Sequence, residues 1–386
     1  MSEAVSDSPS TATGSITGSN NKNINEQAAA AVVTTTVAQQ EEEWLRGGAA
    51  VTTILQGSTN TMISISTSTV PDSRRWEQMP SLLSLKNDSH TLVVLDLHKS
   101  RYMTELHDSV CDMLSLQKLR LTHCHNLKTL PQAIGNLTLL EELDLSDSPV
   151  VESLPESIGN LSSLKTLILG GSDGTGNKVL TTLPESMGQL TNLETLNLNK
   201  CKALAALPES IGNLHALRYL YMRECKCVPA LPPSIVNCTQ LVEVSLSKCV
   251  AMTALPDTIG DAWVNLEDFI ATKCKHLTHI PESLGRGCSK LVYLDLRACK
   301  ALTVLPASLG QLSQLRYLDL SNCKHLTSLP PSLGQLTTLD TFGLRDCKNL
   351  THIPDELWKF KEEGWPTKDE MAAISAAAAT VATASS

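Results

Sequence analysis

The sequence predicts an α/β solenoid, a horseshoe of about eleven 24-residue repeats, with a parallel concave β-sheet and short helical or 3-10 turns on the convex side. The stretch from Leu315 to Thr338, LRYLDLSNCKHLTSLPPSLGQLTT, recurs in close variants on both sides at nearly constant spacing. Leucines at repeat positions 1, 4 and 6 alternate as in a strand with one buried face, and Pro330, at position 16, turns the chain back. A single coil has nothing to bury its leucines against, so neighbouring coils are required.

The repeats follow one another at intervals of 24 residues, with one interval of 29 and two of 25. Their first residues are Leu92, Leu116, Leu140, Leu164, Leu193, Leu217, Leu241, Leu266, Leu291, Leu315 and Leu339. At about 4.8 Å between strands, the stack would be about 50 Å long. That length suits a protein-binding surface better than a small-molecule pocket.

The chain on either side of the repeats divides into four segments. Residues 1–75 are rich in Ser, Thr, Ala, Asn and Gln, and we expect them to be disordered. Residues 76–91 resemble a half-repeat and are assigned as the N-terminal cap. The repeats occupy 92–356, after which a C-terminal cap at 357–366 supplies larger apolar groups. We expect the Ala-rich tail, 367–386, to be loosely attached; Thr367 and Glu370 there have the spacing of a capping box.

Composition limits the partners and the compartment. The net charge of −9 argues against nonspecific binding to nucleic acid or to an anionic membrane. We see no signal peptide in MSEAVSDSPS and no apolar run near the roughly 20 residues that cross a bilayer. Twelve cysteines in such a chain indicate reduced thiols. The expectation is a cytoplasmic protein, with the nucleus as the alternative, and no membrane insertion.

Proline at position 16 of ten repeats predicts a turn on the convex side. Segments such as Pro208-Glu-Ser-Ile-Gly212 read as one helical turn that begins after proline and ends at a glycine in a left-handed cap. The acidic residue after proline in six repeats suits the N-terminal dipole of that turn. We therefore assign this row of prolines a structural role and no binding function.

A row of small polarisable residues occupies position 9. It should point inward and donate to a carbonyl of the adjacent coil. The cysteines of this structural ladder are Cys124, Cys201, Cys225, Cys249, Cys274, Cys299, Cys323 and Cys347, and the other repeats have Ser100, Ser148 and Ser172 there.

Three features that could suggest ligand chemistry are read as structural or solvated. Cys225, Cys227 and Cys238 lack the second paired motif of a zinc site. The insertion 170–178 lacks the Gly-Lys-Ser/Thr order of a phosphate loop and reads as a solvated bulge or a partner contact. No catalytic constellation, metal site or cofactor is predicted. Lysine follows the ladder cysteine in six repeats, forming either a solvated rim or a contact for an acidic partner: Lys202, Lys226, Lys275, Lys300, Lys324 and Lys348.

Specificity is expected on the open face of the sheet, at positions 2, 3, 5, 7 and 8, because the repeat does not dictate those residues. Four of the five tyrosines lie there, with arginines and aspartates around them. Tyrosine and arginine often dominate binding energy, although tyrosine also suits exposed strand positions. The predicted protein-binding residues are Arg218, Tyr219, Tyr221, Arg223, Tyr293, Asp295, Arg297, Arg316, Tyr317 and Asp319.

The pattern LxxLxLxxCxxLxxLPxxIGxL, seen from Leu193 to Leu214, resembles the leucine-rich repeats of plant intracellular disease-resistance receptors of the nucleotide-binding class. The resemblance covers residues 76–360 and includes TLVVLDLHKSRYMTEL at the start of the repeats. It does not extend to the signalling and nucleotide-binding domains of those receptors. The LPxxIGxL part is also similar to scaffolds that work with Ras-type GTPases, which usually have Asn where this chain has Cys.

Together these features predict a non-enzymatic module that binds a protein partner of unknown identity through its concave face. The resemblance implies intracellular defence-type signalling. Two alternatives stay open at this point. One is a scaffold for a Ras-type GTPase or phosphatase complex, and the other is the substrate-recognition subunit of a ubiquitin ligase or other enzyme complex.

Overall fold

A computed structural model describes residues 50–56, 60–66, 92–171 and 175–384. Their strands form one sheet of thirteen, arranged in sequence order. The strands are β1 Ala50–Gln56, β2 Asn60–Ser66, β3 Leu92–Asp96, β4 Lys118–Arg120, β5 Glu142–Asp144, β6 Thr166–Ile168, β7 Thr195–Asn197, β8 Tyr219–Tyr221, β9 Glu243–Ser245, β10 Asp268–Ile270, β11 Tyr293–Asp295, β12 Tyr317–Asp319 and β13 Thr341–Gly343.

Pairing is parallel from β2 to β13, and each repeat position from β3 onward lies beside the same position of the next repeat. Leucine or another apolar residue at position 4 of each strand is buried, as are the leucines at positions 1 and 6. The predicted leucine-rich-repeat solenoid is therefore confirmed, with β3–β13 as the strands of the eleven repeats.

Two strands precede the first repeat, inside the range 1–75 that the composition led us to expect as disordered. β1 and β2 have the sequences AVTTILQ and NTMISIS, which are rich in β-branched residues. β2 also has a partner, because it pairs with β3 of the first repeat. The rest of 1–75 and the cap assigned to 76–91 lie outside the described residues.

Short helices form the convex side, and most begin directly after the proline of position 16. Within the described residues nine are 3-10 helices: Asp108–Asp112, Gln132–Asn136, Glu156–Asn160, Glu185–Gln189, Glu209–Asn213, Pro233–Asn237, Ala307–Gln311, Pro331–Gln335 and Asp355–Phe360. In two of the longer, 25-residue repeats the turn is α-helical, at α1 Ile259–Ala262 and α2 Glu282–Gly287. The prolines are extended N-cap residues, where their missing N–H leaves no bond unmade.

The left-handed cap predicted for the glycine of this turn is wrong. Among the described residues, only Gly176 and Gly364 are glycines with positive φ. Gly212 is needed for space instead, because a Cβ added there would lie 2.5 Å from the carbonyl oxygen of Ser234 in the next repeat. Successive turns thus pack backbone against backbone, and the acidic residue after proline bridges them: Glu185 Oε2 accepts from the backbone N–H of Ser210 at 3.0 Å.

Position 8 holds the left-handed residue of each coil. Ten repeats place a non-glycine residue there with φ between 55° and 65°, and in the fourth repeat Gly176 has φ 59°. The ten residues are Lys99, His123, Asp147, Lys200, Glu224, Lys248, Lys273, Ala298, Asn322 and Asp346. This conformation costs a non-glycine residue about 1 kcal/mol or more. Position 8, which we counted among the free positions of the open face, is therefore constrained by the turn that follows each strand.

Aromatic side chains close the C-terminal end of the core. Phe342 in the last strand packs edge-on against Phe360 and Trp365, with ring centroids 6.2 and 5.6 Å apart. Helix α3, Lys368–Ala384, follows, and Met371 in its first turn is buried against the same core. Glu370 donates its N–H to Thr367 Oγ1 at 3.2 Å and accepts from the Thr367 N–H at 2.7 Å, which makes the predicted capping box. No helix in the described part of the chain is both long and apolar enough to span a membrane.

Candidate protein-binding face

The position 9 cysteines form a ladder along the core. Seven of the eight thiols donate to the carbonyl of position 6 in the preceding repeat, at 3.0 to 3.4 Å between sulfur and oxygen. The seven are Cys124, Cys225, Cys249, Cys274, Cys299, Cys323 and Cys347, and Cys201 is buried in the same row. Ser148 makes the equivalent bond to Leu121 at 2.8 Å. The ladder thus ties each coil to the one before it.

In the fourth repeat, where the spacing suggested Ser172 for the ladder, the buried polar side chain that the structure describes is Asn177. Ser172 lies outside the described residues. Gly176 has the left-handed φ of position 8, and the buried Asn177 follows it. Its Nδ2 donates to Val151 O at 2.8 Å, and its Oδ1 accepts from the N–H of Leu180 at 2.7 Å. The inserted segment therefore returns to the core at Asn177, which counting from Leu164 does not predict.

The buried thiols have a structural role and are not suited to nucleophilic or metal-binding chemistry. All twelve cysteines are free, and only Cys227 is exposed. Burial raises the pKa of Cys124 and of Cys238 to about 12, so both remain protonated at neutral pH. Cys225 and Cys238, considered above as zinc ligands, donate to separate carbonyls, Leu198 O at 3.1 Å and Ile211 O at 3.2 Å. No group of three metal-ligating side chains occurs within the ranges that the structure covers.

The predicted binding residues fall into two groups on the concave face. The first group is on and beside β8. Tyr219 and Tyr221 are half-buried and nearly parallel, with ring centroids 6.4 Å apart, and the Arg218 guanidinium lies 5.6 Å from the Tyr219 ring centre. Tyr221 donates its hydroxyl to Glu243 Oε2 at 2.9 Å. Burial and then the bond to Glu243 raise the pKa of Tyr221, so this hydroxyl remains a donor. Arg223 is exposed at the end of the strand.

The second group spans β11 and β12. Tyr293 and Tyr317 lie beside each other in the strand register and stack with ring centroids 4.1 Å apart and 10° between ring planes. Both rings are half-buried, so the stack presents an aromatic surface to the concave side. The pKa of Tyr317 is raised by burial and then by the Tyr293 hydroxyl. This stack is the closer of the two tyrosine pairs among the predicted residues.

An ion-pair network lies beside the tyrosine stack. Asp295 is only 1% exposed and accepts from Arg297 Nε and Nη2, with the shortest N–O distance at 2.6 Å. Arg297 also lies 3.6 Å from Asp319 Oδ2. Asp295 is therefore too deep to contact a partner directly, and its role is to hold the exposed Arg297. Arg316 is exposed and forms a surface ion pair with Asp340 at 3.1 Å.

Two carboxylates lie between these groups and were missing from the predicted set. Glu243 on β9 and Asp268 on β10 occupy position 3 of adjacent strands, directly beside each other. Both are half-buried, and no basic nitrogen in the described structure lies within 4.0 Å of the Asp268 carboxylate. Burial first, then the charges of Glu243 and Glu267, raise the pKa of Asp268. The sequence signal for both residues is an acidic side chain at position 3 of two adjacent repeats.

Asp268→Asn should stabilise the chain by about 0.5 kcal/mol at neutral pH, the size of one unfavourable cross-strand pair. A carboxyl with a higher pKa in the folded than in the unfolded chain stabilises the fold while protonated, and this contribution is lost as the pH rises through the folded-state pKa. The asparagine variant recovers that contribution at neutral pH. Urea unfolding at about pH 7 and about pH 4 measures the gain, which should shrink at the lower pH because Asp268 then begins to protonate.

Asp340→Asn is the matched control, because it removes the same charge from an exposed residue that has Arg316 as its partner. It should give no gain at either pH. A loss of stability in Asp268→Asn, or a gain of equal size at both pH values, would contradict the raised pKa of Asp268.

The lysine rim and the inserted bulge lie away from this row. The lysines after the ladder cysteines are exposed from Lys226 onward, at the edge where the chain leaves the sheet. The bulge is anchored from inside, since the buried Asp147 Oδ1 accepts from the Gly176 N–H at 3.1 Å. At the opposite edge, a shallow depression of about 420 Å³ lies where four strands begin, lined among others by Glu194, Arg218, Val242 and Glu267.

Comparisons with known proteins agree with this architecture. The family described as "Leucine-rich repeat region" matches residues 73–205, and the one described as "Leucine Rich Repeat" matches residues 314–336. No curated protein sequence matches the chain significantly. The matching families describe repeats and none describes an enzyme.

Solved structures similar to this chain include leucine-rich-repeat proteins. The leucine-rich repeat domain of the type III effector XopL matches 71% of this chain and 83% of its own, at 22% identity and a TM-score of 0.50. A chain of the PEPR1–AtPEP1 complex matches 80% of this chain, at 22% identity and a TM-score of 0.45, and one of the Drosophila Toll–Spatzle complex matches 76%, at 17% and 0.45. This chain covers 45% and 51% of those two chains. At 22% identity the similarity to the XopL domain supports the fold alone, which is typical of modules for protein–protein interaction.

Proposed function

Because the chain folds as a leucine-rich-repeat solenoid, we propose that it is a non-catalytic protein-binding module whose concave face holds the partner. The observation that carries this proposal is the stack of Tyr293 and Tyr317, an aromatic surface on the ninth and tenth repeats of the sheet, with Arg297 and Arg316 beside it. Large rigid aromatic groups and arginines are the residues that most often supply binding energy at protein interfaces. Nothing in the repeat requires tyrosine at position 3, since the eleven repeats place six different residue types there.

The setting we propose is intracellular signalling of the defence type, in the cytoplasm or the nucleus. The repeat pattern, with Cys at position 9 and LPxxIGxL on the convex side, supports this setting by its resemblance to plant intracellular receptors. Eleven buried thiols without a disulfide also suit a reducing compartment. The identity of the partner separates this setting from a GTPase scaffold and from a subunit that presents substrates to a ligase.

The test is affinity capture with the full chain and with Tyr293→Ala/Tyr317→Ala. We expect the double variant to weaken binding of the captured partner about tenfold, because two half-buried aromatic anchors are lost while the buried leucines stay in place. Titration of the purified partner against each bait by isothermal calorimetry measures the change. Thermal unfolding of both baits shows whether the fold is retained.

Gln311→Ala/Gln335→Ala is the matched control, because both glutamines are exposed on the convex turns of the same two repeats. It should bind as the native chain does. Equal affinity of the tyrosine variant and this control for a confirmed partner would rule out the proposed face.

A further inference from the structure

We propose that the concave face takes a basic segment of its partner, with an arginine or lysine side chain seated against Glu243 and Asp268 between the two tyrosine pairs. This inference rests on the proposed function and names the chemistry of the partner. It is carried by the order of side chains in one row of the sheet, by the absence of counter-charges at its centre, and by the aromatic groups on both sides.

The row consists of position 3 on five successive strands, β8 to β12. Strand register places Tyr219 beside Glu243, Glu243 beside Asp268, Asp268 beside Tyr293, and Tyr293 beside Tyr317. Parallel strands lie about 4.8 Å apart, so the two carboxylates are neighbours and Tyr219 and Tyr293 are separated by about 14 Å. An extended segment crossing the strands would meet aromatic, acidic and aromatic surface in turn.

The centre of the row differs from three other acidic residues of the concave face, Glu142, Asp295 and Asp319. Glu142 is paired with Lys118 and Arg120 at 3.0 Å each, and these bonds hold its pKa below the usual value although burial opposes them. Asp295 and Asp319 share Arg297. Asp268 has no such partner within the described chain, and Glu267 adds a third negative charge beside it. Glu142, Asp295 and Asp319 thus have basic partners, whereas Glu243 and Asp268 have none in the described chain.

Adjacent like charges on neighbouring strands destabilise a sheet, so this pair works against the fold in the free protein. A cation supplied by a partner would remove the repulsion and replace the water lost from the half-buried carboxylates with a charge-assisted bond. Tyr221 already holds Glu243 through its hydroxyl, so one carboxylate is oriented before binding. The net charge of −9 would also speed the approach of a basic partner.

The tyrosines favour a cation on a flexible side chain over a bare metal ion. Aromatic rings attract ammonium and guanidinium groups through their faces, and the Arg218 guanidinium already lies 5.6 Å from the Tyr219 ring centre. The stacked rings of Tyr293 and Tyr317 leave an outer face for the aliphatic stem of a lysine or arginine. Carboxylate and ring together match both parts of such a side chain.

Fluorescence anisotropy with labelled synthetic peptides tests the inference. The probes are four peptides of about twelve residues, long enough when extended to cross the five strands, in which glycine alternates with arginine, lysine, glutamate or serine. The full chain should bind the arginine and lysine peptides and bind the glutamate and serine peptides much more weakly. Glu243→Gln/Asp268→Asn should lower the affinity for the arginine peptide about tenfold.

The control Glu209→Gln/Asp257→Asn removes two charges from exposed convex positions, and so separates a local site from the effect of net charge. It should change the affinity less than about twofold. Three results would overturn the inference: equal loss in both double variants, preference for the glutamate peptide as the lysine rim would give, or no preference among the four. Circular dichroism of each variant confirms that it is folded.

The inference can fail without the proposed function. A confirmed protein partner that is lost from Tyr293→Ala/Tyr317→Ala but retained by Glu243→Gln/Asp268→Asn would keep the concave face as the binding surface and exclude the basic segment. A partner retained by both variants would exclude the face itself.

Discussion

Replacing Gly212 by alanine is expected to lower the free energy of unfolding by about 2 kcal/mol, within the usual range for overpacking. The added Cβ would lie 2.5 Å from the carbonyl oxygen and 2.8 Å from the Cβ of Ser234. Both atoms are at the convex turn of the next repeat, so relief requires that two coils move apart. The small gain in helix propensity from glycine to alanine does not offset that displacement. Urea unfolding followed by circular dichroism measures the change.

Gly334 provides the matched control at the same repeat position. A Cβ there would meet the end of the exposed Glu356 side chain, with the nearest atom, Oε2, at 2.7 Å. That carboxylate can rotate away, whereas the Ser234 carbonyl beside Gly212 cannot. Gly334→Ala should therefore change stability by less than about 0.5 kcal/mol. If the two substitutions cost the same, backbone packing between turns is not the reason for the glycine row.

Replacing Cys299 by leucine is expected to destabilise the solenoid by about 1 to 3 kcal/mol. Cys299 is fully buried, and its thiol donates to Ala271 O at 3.0 Å. Leucine adds volume where the coils are closely packed, and it also removes the donor from that carbonyl. Differential scanning calorimetry of the variant should show a lower midpoint with an unchanged folded circular dichroism spectrum.

Two variants separate the causes of this loss. Cys299→Ser keeps a small donor, as Ser148 does in the same row, and should retain most of the stability. Cys227→Leu places the same side chain at the exposed cysteine and should be nearly neutral. An unchanged midpoint for Cys299→Leu would show that the thiol does not point into the core.

Much of the fold follows from the repeat pattern because each repeat position has its own structural role. Leucine at positions 1, 4 and 6 is buried in every coil in which it occurs, and proline at position 16 begins the turn, as the two periodicities predict. The sequence pattern does not predict the left-handed conformation at position 8, because lysine, histidine, glutamate and alanine all occur there and none of them indicates positive φ. The repeat geometry imposes that conformation on whichever residue is present.

The candidate binding face likewise combines features that the sequence predicts with features that only side-chain packing sets. The composition of positions 2, 3 and 5 identified Tyr293 and Tyr317 from the sequence alone, since spacing by one repeat puts them on neighbouring strands. Their stacking at 4.1 Å, the burial of Asp295 beneath Arg297, and the exposed pairing of Arg316 are outcomes of side-chain packing that spacing does not specify. Asp268 is distinguished only by the absence of a counter-charge around it, which requires the positions of all its neighbours.

The sequence by itself determined the solenoid, the number of coils and the concave sheet, because each is a consequence of apolar periodicity repeated along one direction. Only the tertiary structure decided why glycine is needed in the convex turns, that Asn177 is buried in the fourth coil, and that Glu243 and Asp268 have no basic partner at the centre of the row from β8 to β12. These depend on contacts between one coil and the next, and such contacts are set by distances that no single repeat contains.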